Sequence, residues 1–486
     1  MNRLHPSTLG ELNGAVRKPA YDRARLRAGI VHLGLGAFHR AHQAVYTDEA
    51  IARSGGDWGI IGVSLRSADV SGQLLPQDCL YSVLSEDATG VELRVIGVVQ
   101  EVLVASAGVS KIADVIARQD IRVLTLTITE KGYTLAADGK SLNRKDATVK
   151  SDLKNPAQPR SAIGILALGL QQRAAAGGAP VTIMSCDNLS ANSKVLRAVL
   201  SDYLQSTFPV VLPWLKTAAR FPCSMVDRIV PAMTDSGRQR QAQLLGLRDE
   251  GAVATEPFSQ WIMEDDFAAG RPDWESAGAL LVADIAPYEN IKLRLLNATH
   301  SAIAYCGLLA GLETVDAVMA DDTLRGYVRQ LMQEDLMPAL EAPGNFNLAD
   351  YGEQLLARFS NPCLRHRCAQ IAMDGSEKIR QRWLPTLQQD SAAPNLVKAL
   401  SAWCYYMLHT DMAIDDPRAE QLLLIRESDA AADERLIAVL ACAQIGADTL
   451  DGFSALCAVV QQHVDRIARY GLRALLQGPP RCGDLE

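Results

Sequence analysis

Four short apolar runs constrain the fold of this chain more than any other feature. They are Gly29-Ile-Val-His-Leu-Gly34, Trp58-Gly-Ile-Ile-Gly-Val63, Ile121-Arg-Val-Leu-Thr-Leu-Thr-Ile128 and Pro180-Val-Thr-Ile-Met-Ser-Cys186. Each is too short to be a typical buried helix, and several are rich in the β-branched residues that strands favour. Helical stretches separate them, at Ala41 to Ala52 and again at Ser161 to Ala175. Buried strands alternating with helices predict an α/β, doubly wound, mainly parallel sheet. After about Ala286 the strand signals stop. The remainder reads as helices over 287–311, 322–341, 350–359, 394–408, 417–427, 430–443 and 449–474, separated by short breaks rich in Gly, Pro and Asp. The expected organisation is an α/β domain over 1–286 and an all-helical domain over 287–486.

A chain of 486 residues with formal net charge -8 has room for a large core and no global basic field to attract nucleic acid. No apolar run is long enough to cross a bilayer. The first residues lack the apolar core of a signal peptide, so a cytoplasmic protein is expected. The ten cysteines are scattered, and no Cys-x-x-Cys pair occurs, so reduced and mostly buried thiols are expected. His39 and His42 are three residues apart, but no third ligand accompanies them, and no metal is expected.

Residues Pro287-Tyr-Glu-Asn-Ile-Lys-Leu-Arg-Leu-Leu-Asn-Ala-Thr-His300 carry the strongest functional signal. A proline opens the segment, as suits the first position of a helix. With Lys292 as origin and about 100° per residue, Glu289, His300 and Asn297 fall near about 60°, 80° and 140°. Leu296 and Leu293 fall near about 40° and 100° on the same wheel. Four polar groups on an apolar stripe cost stability unless they are paired or face a cleft. A lysine among leucines loses hydration, which lowers its pKa toward the range of a general base. One such residue would suggest a snorkelling lysine or a satisfied core histidine; four on one arc predict a catalytic helix. It starts at the expected domain junction, where ligand clefts commonly form.

A second signal follows the first strand, at Leu33-Gly34-Leu-Gly36-Ala-Phe38-His39-Arg40-Ala-His42. Strand, glycine turn and helix form the context of a dinucleotide-binding, Rossmann-type fold. Gly34 would permit the tight turn and Gly36 the approach of a pyrophosphate. His39 occupies the place of the usual third glycine. Beyond the second strand, Asp69 would accept hydrogen bonds from a ribose, whereas Arg66 would suit a 2′-phosphate; NAD is expected over NADP. Ser185-Cys-Asp-Asn188 closes a strand, where an Asn amide can donate to a developing alkoxide or simply close an Asx turn. Asp227-Arg228 lies within an apolar run, as a structural ion pair or a cleft lining. Arg365-His366-Arg367 and Lys378 belong to a basic stretch suited to carboxylates or to a solvated face.

These segments, with Thr127-Ile-Thr-Glu130-Lys-Gly-Tyr133, Met225-Val-Asp-Arg-Ile-Val-Pro231 and Lys292-x4-Asn297-x2-His300, resemble the polyol-specific long-chain dehydrogenases, the mannitol dehydrogenase family. The resemblance runs from about Ala20 to near the C-terminus. It implies zinc-independent hydride transfer between NAD(H) and an open-chain sugar alcohol or keto sugar. It makes Lys292 the general acid/base, with Asn188 and Asn297 holding the reacting oxygen. His300 would orient the substrate, and Glu289 would pass the proton to solvent. The cofactor set is Gly34, Gly36, Phe38, His39, Arg40, Arg66, Asp69, Glu130 and Asp227. Ser360-Asn-Pro-Cys-Leu-Arg-His-Arg-x3-Ile-Ala-Met-Asp-Gly-Ser looks more like the fructuronate reductases of this family than its mannitol dehydrogenases, which carry an arginine where this chain has Gln370. Arg365, His366, Arg367 and Lys378 would then hold a sugar acid. Mannitol or arabinitol oxidation is the second reading, and an NADH-binding sensor without catalysis a remote third. A monomer is expected.

Overall fold

The computed structural model describes residues 1–344 and 346–477. Backbone contacts divide the chain into two compact units, Met1–Ala286 and Pro287–Glu486.

The described residues of the first unit form twelve strands. They are β1 (Ala28–Leu33), β2 (Gly59–Ser64), β3 (Tyr81–Asp87), β4 (Gly90–Ile96), β5 (Val99–Val104), β6 (Val123–Leu126), β7 (Val181–Ser185), β8 (Ala219–Arg220), β9 (Ser224–Asp227), β10 (Val253–Thr255), β11 (Gln260–Glu264) and β12 (Leu280–Val282). Six make one sheet in the order β5-β2-β1-β6-β7-β8. Every pairing in it is parallel. The four sequence runs supply β1, β2, β6 and β7, and both faces of the sheet are covered. Val31, Leu33, Ile61, Val63, Leu124 and Leu126 pack into one core, whereas Ile30, Ile60, Val123 and Met184 pack into another. That alternation is the period of a strand buried on both sides. Helix Ala162–Ala175 begins where the Ser161 hydroxyl accepts from Gly164 N at 3.0 Å; a serine N-cap of this kind stabilises a helix by about 1 kcal/mol.

The chain runs from β1 outward to β2 and β5, then returns to β6 on the other side of β1. Such a reversal of direction opens a crevice beyond the carboxyl ends of the two central strands. Two further three-stranded sheets, β10-β3-β4 and β12-β11-β9, were not expected from the sequence.

The second unit is helical. The long helix Pro394–His409 is buried along most of its length, with Trp403 fully enclosed. The Asp335 carboxylate receives Leu396 N at 2.7 Å and so caps this helix from another segment. The expected helix over 322–341 is shorter, Asp322–Gln330 followed by a π turn at Leu331–Leu336. The one expected over 449–474 breaks at Gly471, whose φ of 79° ends helix Phe453–Tyr470. Four short helices went unread: Val315–Ala320, Cys368–Ala372, Gly375–Arg382 and Leu384–Gln389.

Candidate active site

The glycine turn lies at the topological reversal of the first unit. Gly34 has φ +100°, and an added Cβ would collide with the Thr127 carbonyl oxygen. Thr127 follows β6, so this glycine lets the ends of the two central strands close up. Their contact is sealed by Thr127 Oγ1 donating to Gly34 O at 2.8 Å. Gly36 is different: a Cβ there would meet only Gly34 O, at 3.8 Å. Its exposed side is open to an approaching ligand, which fits a pyrophosphate cradle. The helix expected from Ala41 begins earlier, at Ala37, and breaks at His42 into Ala37–Ala41 and Gln43–Ser54.

The side chains around this turn mostly face inward. His32 and His39 stack with ring centroids 3.5 Å apart. His32 is bonded to Thr125 Oγ1 and Thr127 Oγ1, each at 2.8 Å. Burial pushes His32 down to about 3. Burial, then the neighbouring His32, Arg40 and His42, holds His39 well below the usual histidine range. The stacked pair is therefore neutral, as a charged pair at that spacing would be strongly repelled. Arg40 is 6% exposed and donates to Gly251 O and Gly36 O. His39 and Arg40 thus support the turn from beneath, while Gly36, Ala37 and half-buried Phe38 form its accessible surface. Phe38 stacks on His42 at 5.1 Å. Arg66 and Asp69 are exposed just beyond β2.

Beyond β6 the backbone is strained. Thr129 has φ +64° and ψ 162°, a region essentially reserved for glycine. The Asp187 carboxylate pins it, accepting Thr129 N at 2.8 Å, Ile128 N at 3.0 Å and the Tyr133 hydroxyl at 2.7 Å. Burial raises the Asp187 carboxyl against those three donors. Glu130 lies on the exposed turn that follows, and Asn188, beside Asp187, is at the surface. Asn192, fully buried, donates to Asp187 O and Ser224 O and ties the end of β7 to β9. Asp227 ends β9 and is 7% exposed. Arg228 donates to Ala41 O at 2.5 Å and Glu256 O at 2.9 Å, binding the short helix after the turn to this region.

In the second unit, Ala286–Ile291 and Ala298–Leu309 are α-helical, and the six residues between them, Lys292–Asn297, form a π turn. Ala298 N reaches back five residues to Leu293 O. π turns are rare and concentrate at functional sites. This one corrects the regular wheel: Leu293 is only half-buried, and Arg294 is 5% exposed. Arg294 donates to Thr386 Oγ1 at 2.9 Å and Gln389 Oε1 at 2.8 Å. Lys292 is 9% exposed, with Ile291, Leu295 and Leu296 buried beside it in sequence. Arg382 donates to Asn297 O at 3.1 Å and Ser301 Oγ at 2.8 Å, and Trp383 Nε1 donates to Ala298 O at 3.1 Å. These bonds anchor the helix just past its irregular turn.

His300 is 9% exposed and packs against Phe359 at 4.6 Å and His366 at 5.5 Å. Its Nε2 has no hydrogen-bond partner among the described residues, nor does Nδ1 of His366. Burial, then His366, Arg358 and Arg382, holds His300 well below the usual range. A neutral ring with a buried, unsatisfied nitrogen is suited to a hydroxyl of a ligand. Glu289 is half-buried on the turn before Lys292. The basic stretch divides: His366 packs on His300, whereas Arg365 and Arg367 are exposed. Lys378 is half-buried, with Nζ 3.3 Å from Ile371 O. Arg294, Arg382 and Asp187 were not singled out from the sequence. For Asp187 a signal existed, its place beside Asn188 at a strand end. The two arginines act through contacts distant in sequence.

Among the described residues, no group of three or more His, Cys, Asp or Glu side chains is placed to hold a metal ion. No helix among them is long and apolar enough to cross a membrane. Residues 28–276 match the family model of the mannitol dehydrogenase Rossmann domain, and residues 284–468 that of the mannitol dehydrogenase C-terminal domain. The chain is 39% identical to D-mannonate oxidoreductase of Escherichia coli (strain K12), over 96% of this chain and 100% of that protein. The crystal structure of a D-sorbitol dehydrogenase in substrate-free form superposes with a TM-score of 0.89 at 30% identity, covering 97% of this chain and 100% of that one. Mannitol 2-dehydrogenase of Pseudomonas fluorescens, in ternary complex with NAD and D-mannitol, superposes at 0.83 with 34% identity, over 98% and 99%. The chain belongs to the mannitol dehydrogenase family.

Proposed function

We propose that this protein is an NAD-dependent secondary-alcohol dehydrogenase that reduces the open-chain keto sugar acid D-fructuronate to D-mannonate. The observation that carries the chemistry is Lys292, buried to 9% exposure within a π turn of an otherwise regular helix. Bound NADH supplies the hydride to the ketone carbon. The ketone oxygen, as it becomes an alkoxide, takes a proton from the Lys292 ammonium and leaves a secondary alcohol. Asn188 and Asn297 offer amide donors to that oxygen, and Glu289 returns a proton to the lysine from solvent. His300, neutral and with Nε2 unsatisfied, orients a substrate hydroxyl. Gly34 and Gly36 shape the cofactor turn, with Phe38 on its surface and His39 and Arg40 supporting it. Asp69 would receive the adenosine ribose, with Arg66, Glu130 and Asp227 completing the cofactor set.

The sugar acid is favoured by the D-mannonate oxidoreductase relative and by Gln370, which stands where the mannitol dehydrogenases carry an arginine. Arg365, His366, Arg367 and Lys378 supply cationic or polarisable groups for its carboxylate. The mannitol-bound structural neighbour favours a second reading, oxidation of mannitol or a related polyol. NADH consumption with D-fructuronate and with D-fructose separates the two. A clear preference for fructuronate is expected, and turnover of fructose alone overturns the assignment. NADH binding with no turnover of any keto sugar or polyol would instead mark a sensor. A cytoplasmic monomer accords with this reading, and size-exclusion chromatography tests the monomer.

A further inference from the structure

The first unit also contains a cavity of about 290 Å³ where helix Gln43–Ser54 meets the two small sheets. Four arginines line it: Arg17, Arg53 from the helix, Arg94 from β4 and Arg228 after β9. Only two carboxylates, Glu49 and Glu92, join them in the lining. Glu49 is shared three ways, lying 2.8 Å from Arg17, 2.8 Å from Arg53 and 3.2 Å from Arg94. Glu92 pairs with Arg17 at 3.1 Å, and buried Asp48 behind the wall lies 3.2 Å from Arg94. Arg228 is hydrogen-bonded to Ala41 O, Glu256 O and Ser85 Oγ, with the Glu256 and Glu92 carboxylates near enough to favour its charge. Arg94 Nε is buried without an acceptor among the described residues. The lining itself therefore holds four guanidinium groups against two carboxylates, with Asp48 and Glu256 buried behind it.

Such an arrangement has a chemical preference. Guanidinium forks match the oxygens of phosphate in pairs and gain charge-assisted hydrogen bonds. The Arg17 and Arg53 side chains are 53% and 56% exposed, so they can turn toward an entering anion without disturbing the core. The volume lies at the lower limit of small-molecule sites, which run from about 300 to 1,000 Å³. It suits a phosphate group on a small scaffold. We propose that this cavity is a second ligand site, which takes a small phosphate-bearing molecule through Arg17, Arg53, Arg94 and Arg228.

Calorimetric titration of the full chain, saturated with NADH to block phosphate binding at the glycine turn, tests this. Inorganic phosphate and glucose 6-phosphate are the probes, at matched ionic strength. Saturable binding of a probe is expected, weakened about tenfold or more in the Arg17→Gln/Arg53→Gln double variant through loss of charge-assisted bonds. Circular dichroism melting of that variant checks that it folds. In parallel, phosphate should raise the melting temperature of the NADH-saturated, unsubstituted protein where matched chloride does not. Tighter binding of glucose 6-phosphate assigns the site to a phosphate ester, and equal binding to free phosphate. No saturable binding of either probe, or equal affinity in a folded double variant, overturns the proposal.

Discussion

The glycine turn and the lysine helix solve opposite problems. At the turn, polar side chains are hidden and the backbone is presented: His32, His39 and Arg40 are buried, while Gly36 and Ala37 face outward. On the helix, the backbone bends out of its regular pattern so that Lys292, Arg294 and His300 are all buried on a sequence rich in leucine. One region is built by backbone shape and the other by side-chain placement. The difference teaches that a titratable residue can be buried to prop a backbone or to stand within a polar cluster. In the turn, His32 is bonded to Thr125 and Thr127, and His39, 1% exposed and stacked on it, holds both ring nitrogens without a partner among the described residues. On the helix, His300 Nε2 is likewise unsatisfied, but its ring is 9% exposed and lies against His366; an unsatisfied buried group costs about 1 to 3 kcal/mol.

The comparison is most exposed to test at Lys292. Lys292→Ala should lower kcat by about 10²- to 10⁴-fold, the usual contribution of a positioned acid or base. NADH affinity, measured by fluorescence titration, should be nearly unchanged; equal losses of both would erase the distinction between the regions. Asn188→Ala should follow, with about 10²- to 10³-fold lost from kcat if its amide serves the developing oxyanion. An unchanged kcat would return Asn188 to a turn-closing role.

Gly34→Ala should show the reverse pattern. The added methyl meets the Thr127 carbonyl at a φ of +100°, and strain of this type costs about 1 to 3 kcal/mol. Melting temperature and NADH affinity should fall together. A variant with wild-type melting and NADH binding would show that the turn tolerates a side chain.

The smallest effect is on pH. His32, His39 and His300 all have depressed pKa values in the fold, His32 at about 3. Above about pH 6.5 these rings are neutral both folded and unfolded. As pH falls below that value the unfolded chain binds protons that the folded chain refuses, so stability declines toward about pH 3. Each ring contributes a slope of up to about 1.4 kcal/mol per pH unit. Thermal melts between pH 7.5 and 5 should show the decline, and His39→Gln should flatten it. An unchanged slope would mean that the stacked pair is not what refuses the proton.

The parallel sheet was legible because β1, β2, β6 and β7 are buried on both faces and read as continuous apolar runs. The small sheets were not. Strands such as β10 and β12 span three residues and carry no period long enough to see. The lysine, asparagine and histidine of the second unit were legible as a group, because polar residues on an apolar arc stand out. Their arrangement was not, since a wheel turned at a constant angle cannot register a π turn. The break at His42 escaped for a related reason: Ala37 to Ser54 has helical character on both sides of it, and at the break the His42 ring is bonded to Gln260 O, far away in sequence. Arg365 to Arg367 read as one basic patch, yet the middle residue alone turns inward onto His300.

The irregular turn at Lys292–Asn297 also restricts how this chain can change in length. A helix that takes up one surplus residue shifts everything after it by about 100° around the axis. Removing a residue there would let the coil rewind into regular form, swinging His300 away from Phe359 and pulling Asn297 and Ala298 off the Arg382 and Trp383 clamps. A point substitution along this helix leaves the residues after it in register, but a deletion inside those six positions reshuffles the whole downstream face at once.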